Sequence, residues 1–175
     1  MASTCTGTIN LNLQALITAA LAITGQTANA QMPVVISQSL AAGTGAGQIN
    51  QIWATSGTLA ASGTLDLDLN APGVTDAVGN ALTFARVKAI FIQNSNALEA
   101  DALVVGNKAA TSGWTSFISP NTGQISVPGG GFIMMCTPGA TGQTVTSSSV
   151  NKFLHLANPG GNAIVYNIII LGCNA

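Results

Sequence analysis

The segment Asp66-Leu67-Asp68-Leu69-Asn70 puts three oxygen-bearing side chains at alternate positions in a chain with few other charges. That spacing suits three chemistries: calcium ligation, a catalytic carboxylate pair, or one polar face of a strand. A helix-flanked calcium loop takes ligands at its first, third and fifth positions, glycine at the sixth and glutamate at the twelfth. Asp66, Asp68 and Asn70 fill the first three ligand positions, but the sixth position is Ala71, the seventh Pro72 and the twelfth Ala77. Leu65, Leu67 and Leu69 supply strand alternation instead. On a strand, the two aspartates share a face about 6.5–7 Å apart. Glycosidases set their carboxylates across a substrate cleft, whereas neighbours on one open strand face straddle nothing. The expectation is a solvated or partner-facing strand edge, ahead of a weak divalent-ion site that would add Asp76, and ahead of catalysis.

The other chemical candidates read as structural. "VPGGGF", residues 127–132, lacks the Lys-[ST] of a phosphate loop, and a strand follows it instead of a helix. His155 is the only histidine; no G-x-S-x-G elbow accompanies it, and "KFLHLAN" makes it a strand residue. Cys5, Cys136 and Cys173 are odd in number and form no CxxC pair. They read as small buried apolar residues made in a reducing cytoplasm, without a disulfide framework or a zinc site. No catalytic residue, metal or cofactor is expected. Arg86 and Lys88 alternate in "FARVKAIFI" and are expected to form a positive strand stripe that pairs with Asp66 and Asp68, across strands or across subunits.

Composition limits the function classes. Charged residues make up 5% of 175, with a net charge of −1, against about 25% in an average soluble domain. There is no strong pull toward nucleic acid or an anionic membrane. Hydrophobic residues at 47% argue against disorder. The longest apolar stretch, "ALITAALAI" at residues 15–23, is interrupted by Thr18 and falls short of the roughly 20 residues a helical span needs. The same stretch followed by "ANA" mimics a signal peptide, but no Lys or Arg precedes it, so none is expected. Ordinary monomers use charge to stay apart. A chain that omits it is expected to lie against neighbours.

The elements that must position these residues read as strands. Gly, Ser, Thr and Asn punctuation recurs, with short runs between, as in an all-β domain. "GTINLNL" and "GTLDLDL" alternate apolar and polar residues in the same way. "AAGTGAGQ", residues 41–48, reads as a linker. It divides an extended N-terminal arm, 1–48, from an antiparallel β-sandwich or jelly-roll body, 49–175. Body strands are expected at 49–55, 58–69, 82–93, 102–105, 114–118, 124–127, 132–137, 143–146, 153–157 and 163–171. "SPNTGQ" reads as a hairpin, and "NPGGN", 158–162, as the turn before the last strand. "ALITAALA" is the one helix candidate, weakened by Thr and Ile. "FIMMC" and "NAIVYNIIILG" are apolar on both faces, and two dry faces need a second cover: the arm, another sheet or a neighbouring subunit. Trp53, Asp66, Asp68, Arg86, Lys88, Trp114, Phe132 and Tyr166 are the expected interface residues, the tryptophans as core or interface anchors.

From residue 51 onward the chain resembles small structural proteins of tailed-bacteriophage particles, particularly those of marine and cyanobacterial phages. The resemblance is carried by "QIWATSGTLAASGTLDLDL", "LTFARVKAIFIQNSN", "LVVG", "SVPGGGFIMMCTPGATGQTV" and "NKFLHLANPGGNAIVYNIIILG". It covers about residues 51–172 and leaves out the arm. It implies a sandwich or jelly-roll body and a place in the virion, after synthesis in the host cytoplasm. It further implies a capsid decoration (cement) role, as a homotrimer bound to the major capsid protein. A tail, fibre or baseplate module for host attachment is the alternative it leaves open. No functional residue carries over from the family.

Overall fold

The computed structural model describes residues 4–20, 27–70, 74–77, 79–106, 113–114, 116–118, 123–146 and 151–175; of residues 17–20 and 27–29 only backbone is described. The described chain is all-β. In order, the strands are β1 (Gly7–Ala20), β2 (Thr27–Ala42), β3 (Gln48–Ile49), β4 (Gln51–Leu59), β5 (Thr64–Asp68), β6 (Val74–Thr75) and β7 (Ala81–Leu82). There follow β8 (Arg86–Asn94), β9 (Leu103–Gly106), β10 (Gln124–Val127), β11 (Phe132–Cys136), β12 (Gln143–Thr144), β13 (Phe153–Ala157) and β14 (Ile164–Cys173).

Two antiparallel sheets form the body. One has the order β10-β9-β13-β5, and the other β11-β8-β14-β4 with β12 also paired to β8. Chain neighbours β4 and β5, and β13 and β14, lie in different sheets, so the chain crosses the core repeatedly. This interleaved order is compatible with a jelly roll. Alternation explains the core: Ile164, Tyr166, Ile168 and Ile170 of β14 face inward, where they join Ile90 and Ile92 of β8. Leu103 and Val105 of β9 and Leu154 and Leu156 of β13 complete the same cluster from the other sheet. Burying an apolar side chain of this size contributes about 1.5–3 kcal/mol, which makes this cluster the main source of stability.

Several elements differ from the sequence-based expectation. "ALITAALA" is no helix where it is described: Ala15–Ala20 continues β1, paired residue for residue with β2. A regular partner strand outweighs a modest helix propensity. Residues 41–48 are not a free linker. Ala41 and Ala42 pair in parallel with Gln48 and Ile49, and Gly47 donates its N–H to the Pro138 carbonyl at 2.7 Å. Gln48 Oε1 accepts from Gly45 N at 2.8 Å, so the glycines permit a tight hydrogen-bonded loop. The single strand expected at 58–69 is split by a turn in which Ser62 takes a positive φ of 57° and Gly63 N donates to the Ala60 carbonyl. Of the strand expected at 114–118, the described residues 116–118 take turn and bend conformation, and Gly113, just before it, forms an isolated bridge to Phe153. Part of the "SPNTGQ" hairpin, 119–122, falls outside the described residues, as does Lys108.

Candidate interaction surfaces

The four-stranded sheet carries the charged face. β5 is its edge, and its register against β13 puts Asp66 opposite His155 and Asp68 opposite Phe153. Asp66 Oδ1 lies 2.6 Å from His155 Nδ1. Lys152 reaches Asp68 Oδ2 at 2.6 Å while its ammonium stands 4.7 Å above the Phe153 ring. Asp68 Oδ1 also accepts from the Asn70 N–H at 3.0 Å, and the Asn70 amide donates to the Phe84 carbonyl at 2.9 Å. Both carboxylates therefore meet nitrogen-bearing side chains, His155 on β13 and Lys152 just before it. Asp76 stands apart, accepting from the backbone and side-chain amides of Asn80 at 2.8 and 2.9 Å and so closing the β6–β7 turn. Among the described residues no group of three or more His, Cys, Asp or Glu side chains is placed to hold a metal ion.

Arg86 and Lys88 do not form the expected stripe opposite Asp66 and Asp68. They belong to β8, in the other sheet. Lys88 is 0% exposed. Its ammonium donates to the carbonyls of Gly139 and of Ala140, the latter at 2.7 Å, and Arg86 Nη1 donates to Ala140 O at 3.2 Å. Two of the four cations thus pin one loop. The local sequence held a signal, because Lys88 is flanked by Val87, Ala89 and Ile90, and such a lysine is placed to snorkel or be capped.

Trp53, Trp114 and Tyr166 lie in the core. Trp114, at 0% exposure, donates its indole N–H to the Thr144 carbonyl at 2.9 Å and packs against Phe117 with ring centroids 4.8 Å apart and planes tilted by 47°. Neither Trp114 nor Lys88 has surface left to offer a partner. Phe132 is 56% exposed at the edge of the five-stranded sheet, 5.7 Å from Phe91. Burial pushes the Tyr166 phenol and the Cys136 thiol above their ordinary pKa values.

A polar cluster at the turns was not singled out from sequence. Buried Asp101 accepts from Asn96 Nδ2 at 3.1 Å and Asn162 Nδ2 at 3.0 Å. Asn94 donates to the carbonyls of Asp101 and Val127 at 2.5 and 3.0 Å. These asparagines substitute for backbone pairing where strands end. The density of Asn in "NSNALEAD" and "NPGGN" was the available signal. In "VPGGGF", Gly130 takes φ +76°. A side chain on Gly129 would collide with the Leu98 carbonyl, so the loop performs turn chemistry.

Two surfaces carry exposed apolar side chains. The outer face of the five-stranded sheet forms cross-strand rows: Cys136, Ala89, Leu171 and Ile52 in one, buried or half-buried close to the ribbon base, and Met134, Phe91, Ile169 and Ala54 in the next, where Met134 and Ile169 are exposed. No Asp, Glu, Lys or Arg occurs in these rows. The β1–β2 ribbon pairs Leu11 with Ile36, Leu13 with Val34 and Ala15 with Met32. These residues share one face, while the other mixes Asn10, Asn12, Gln14, Gln31 and Ser37 with Leu16, Pro33 and Val35, and Ser37 Oγ donates to Asn10 Oδ1 at 2.8 Å. Residues 11–16 and 30–37 are exposed on both faces of the ribbon. The chain matches no protein-family model and no curated protein.

Proposed function

We propose that the chain is a non-enzymatic structural subunit of a tailed-bacteriophage particle, a capsid decoration (cement) protein. It would hold neighbouring shell subunits of the major capsid protein together by contact area. The observation that carries the reading is the charge-free ribbon, exposed on both sides and rich in apolar side chains, attached to a sandwich whose outer sheet face also exposes Phe132, Met134, Val165 and Ile169. Isolated apolar residues on a surface are ordinary, but contiguous patches mark association sites. The interleaved strand order supports the reading as well. We take it as a double-sheet jelly roll, an architecture that viral capsid domains use, among others, and the link from fold to role is by analogy. Asp66 and Asp68 sit side by side on one strand and meet His155 and Lys152, so the pair supports a structural role better than a catalytic one, which calls for a convergent cleft.

The test is mass spectrometry and subunit-resolution imaging of the particle that carries this chain. Density on the shell lattice, with a lower shell melting temperature when the chain is omitted, is the expected outcome. Density on the tail or baseplate would replace decoration by the host-attachment alternative. Absence from purified particles would end the virion reading altogether.

A further inference from the structure

The ribbon and the outer sheet face can serve each other. We infer that the β1–β2 ribbon of one copy lies, apolar face down, across the outer face of the five-stranded sheet of a second copy. The inference deepens the structural-subunit reading, but the contact is defined by this chain alone.

Stiffness argues that the arm does not fold back on its own sheet. β1 and β2 pair without a register break from Gly7 to Ala20, a length of about 45 Å at the rise of a strand. The ribbon is anchored at its base by Leu40, 2% exposed, and by the pairing of β2 with β3. Folding back would break ladder bonds at that base. Gly7 passes close to Leu171 on the outer face, and the ribbon then leaves the body: Leu11 is 38% exposed and Leu13 60%. An open cleft of about 360 Å³ remains between ribbon base and sheet, lined by Ile9, Ile52, Phe91, Met134, Ile169 and Leu171 among others. The cleft joins the two apolar surfaces into one continuous site.

Charge and area point to a second copy. No Asp, Glu, Lys or Arg occurs in the first 65 residues, and none lies in the apolar rows of the sheet face. A partner with a charged surface would bury ions there without counter-charge, whereas the ribbon brings none. Leu11, Leu13, Met32, Val34 and Ile36 on the ribbon, and Phe132, Met134, Val165 and Ile169 on the sheet, are each about half exposed. At on the order of 70 Å² apiece they supply roughly 600 Å² of apolar contact, and reciprocal exchange between two copies supplies about 1,200 Å². That lies within the range of specific interfaces. Each copy carries one arm and one acceptor face, so any closed ring of copies satisfies both.

The experiment uses the full chain. Sedimentation should give an oligomer for the wild type and a monomer for Leu13→Asp with Val34→Asp. Met134→Glu, on an edge strand, and Ile169→Glu should also dissociate it, with circular dichroism unchanged. Separately made Leu13→Cys and Met134→Cys proteins, mixed and mildly oxidised, should cross-link to each other through the introduced thiols, a bond that can form only between molecules. A monomeric wild type, or ribbon variants that keep the oligomer, would overturn the inference. So would a Leu13→Cys/Met134→Cys double variant that cross-links only within one chain, because the occupant would then be the chain's own arm. A chain that binds particles yet remains monomeric in solution would sink this contact and spare the virion reading; an oligomer absent from particles would do the reverse.

Discussion

Asn158 organises the turn that hands the chain from one sheet to the other, and replacing it tests whether buried side-chain amides hold this fold. The residue is 1% exposed. Its Nδ2 lies 3.2, 2.9 and 2.7 Å from the carbonyl oxygens of Leu59, Ala60 and Asn162. Its Oδ1 accepts from the Gly160 N–H at 3.0 Å. One side chain thus ties the β4–β5 turn to the β13–β14 turn. Asn158→Ala removes about three net hydrogen bonds, near 1 kcal/mol each, and strands buried carbonyls at a further cost of about 1–2 kcal/mol. The expected loss is about 4 kcal/mol, or roughly 8–16 °C in melting temperature for a domain of this size. Asn158→Asp keeps the shape but faces three carbonyls with a carboxylate, so it should cost at least as much. Urea unfolding with an unchanged m-value reads both, best in the Leu13→Asp background so that dissociation does not mix with unfolding. A loss under about 1 kcal/mol for the alanine variant, or an aspartate variant as stable as wild type, would refute the reasoning.

Two further outcomes follow from the charged face and the core. Tyr166 is the only tyrosine, and its phenol is pushed up by burial. The unfolded chain therefore releases that proton first, so the contribution is complete below about pH 10 and is lost as the pH rises through the folded-state value; phenolate absorbance and unfolding measured across that range should show it, and a phenol that titrates like free tyrosine would contradict it. Asp68→Asn removes the ion pair to Lys152, whose side chains are 17% and 21% exposed, and should cost about 1 kcal/mol or less without changing the oligomer; a collapse of the fold or of assembly would give this pair a role that its geometry does not.

Much of the fold was legible because it is written in alternation. β13 and β14 appear within two residues of their expected ends, and "DLDL" reads as a strand because period-two patterning needs no partner to be seen. The fate of each polar residue was less legible. Asp66 and Asp68 carry no mark that their partners are His155 and Lys152 instead of Lys88 and Arg86, because that choice depends on which strand lies alongside. Lys88 looks like a surface cation until the 139–140 loop closes over it. Trp114 lies in a segment that reads as a strand, but its burial comes from Phe117, the Thr144 carbonyl and the core around them.

By itself the sequence determined the class: strands in alternation, turns built on Gly, Asn and Pro, and few ions. Only the tertiary structure decided the sheet order and strand register, the burial of Lys88 and the pairing of the aspartates. It also decided that residues 7–20 and 27–42 form a ribbon, with Gly7–Ala20 paired residue for residue, where the sequence suggested an extended arm joined by a linker. The physical reason is range. Alternation and turn chemistry act between residues a few positions apart, whereas strand partners come from opposite ends of the chain, as Gln51 of β4 and Gly172 of β14 do, and no local pattern encodes which of several similar strands will arrive.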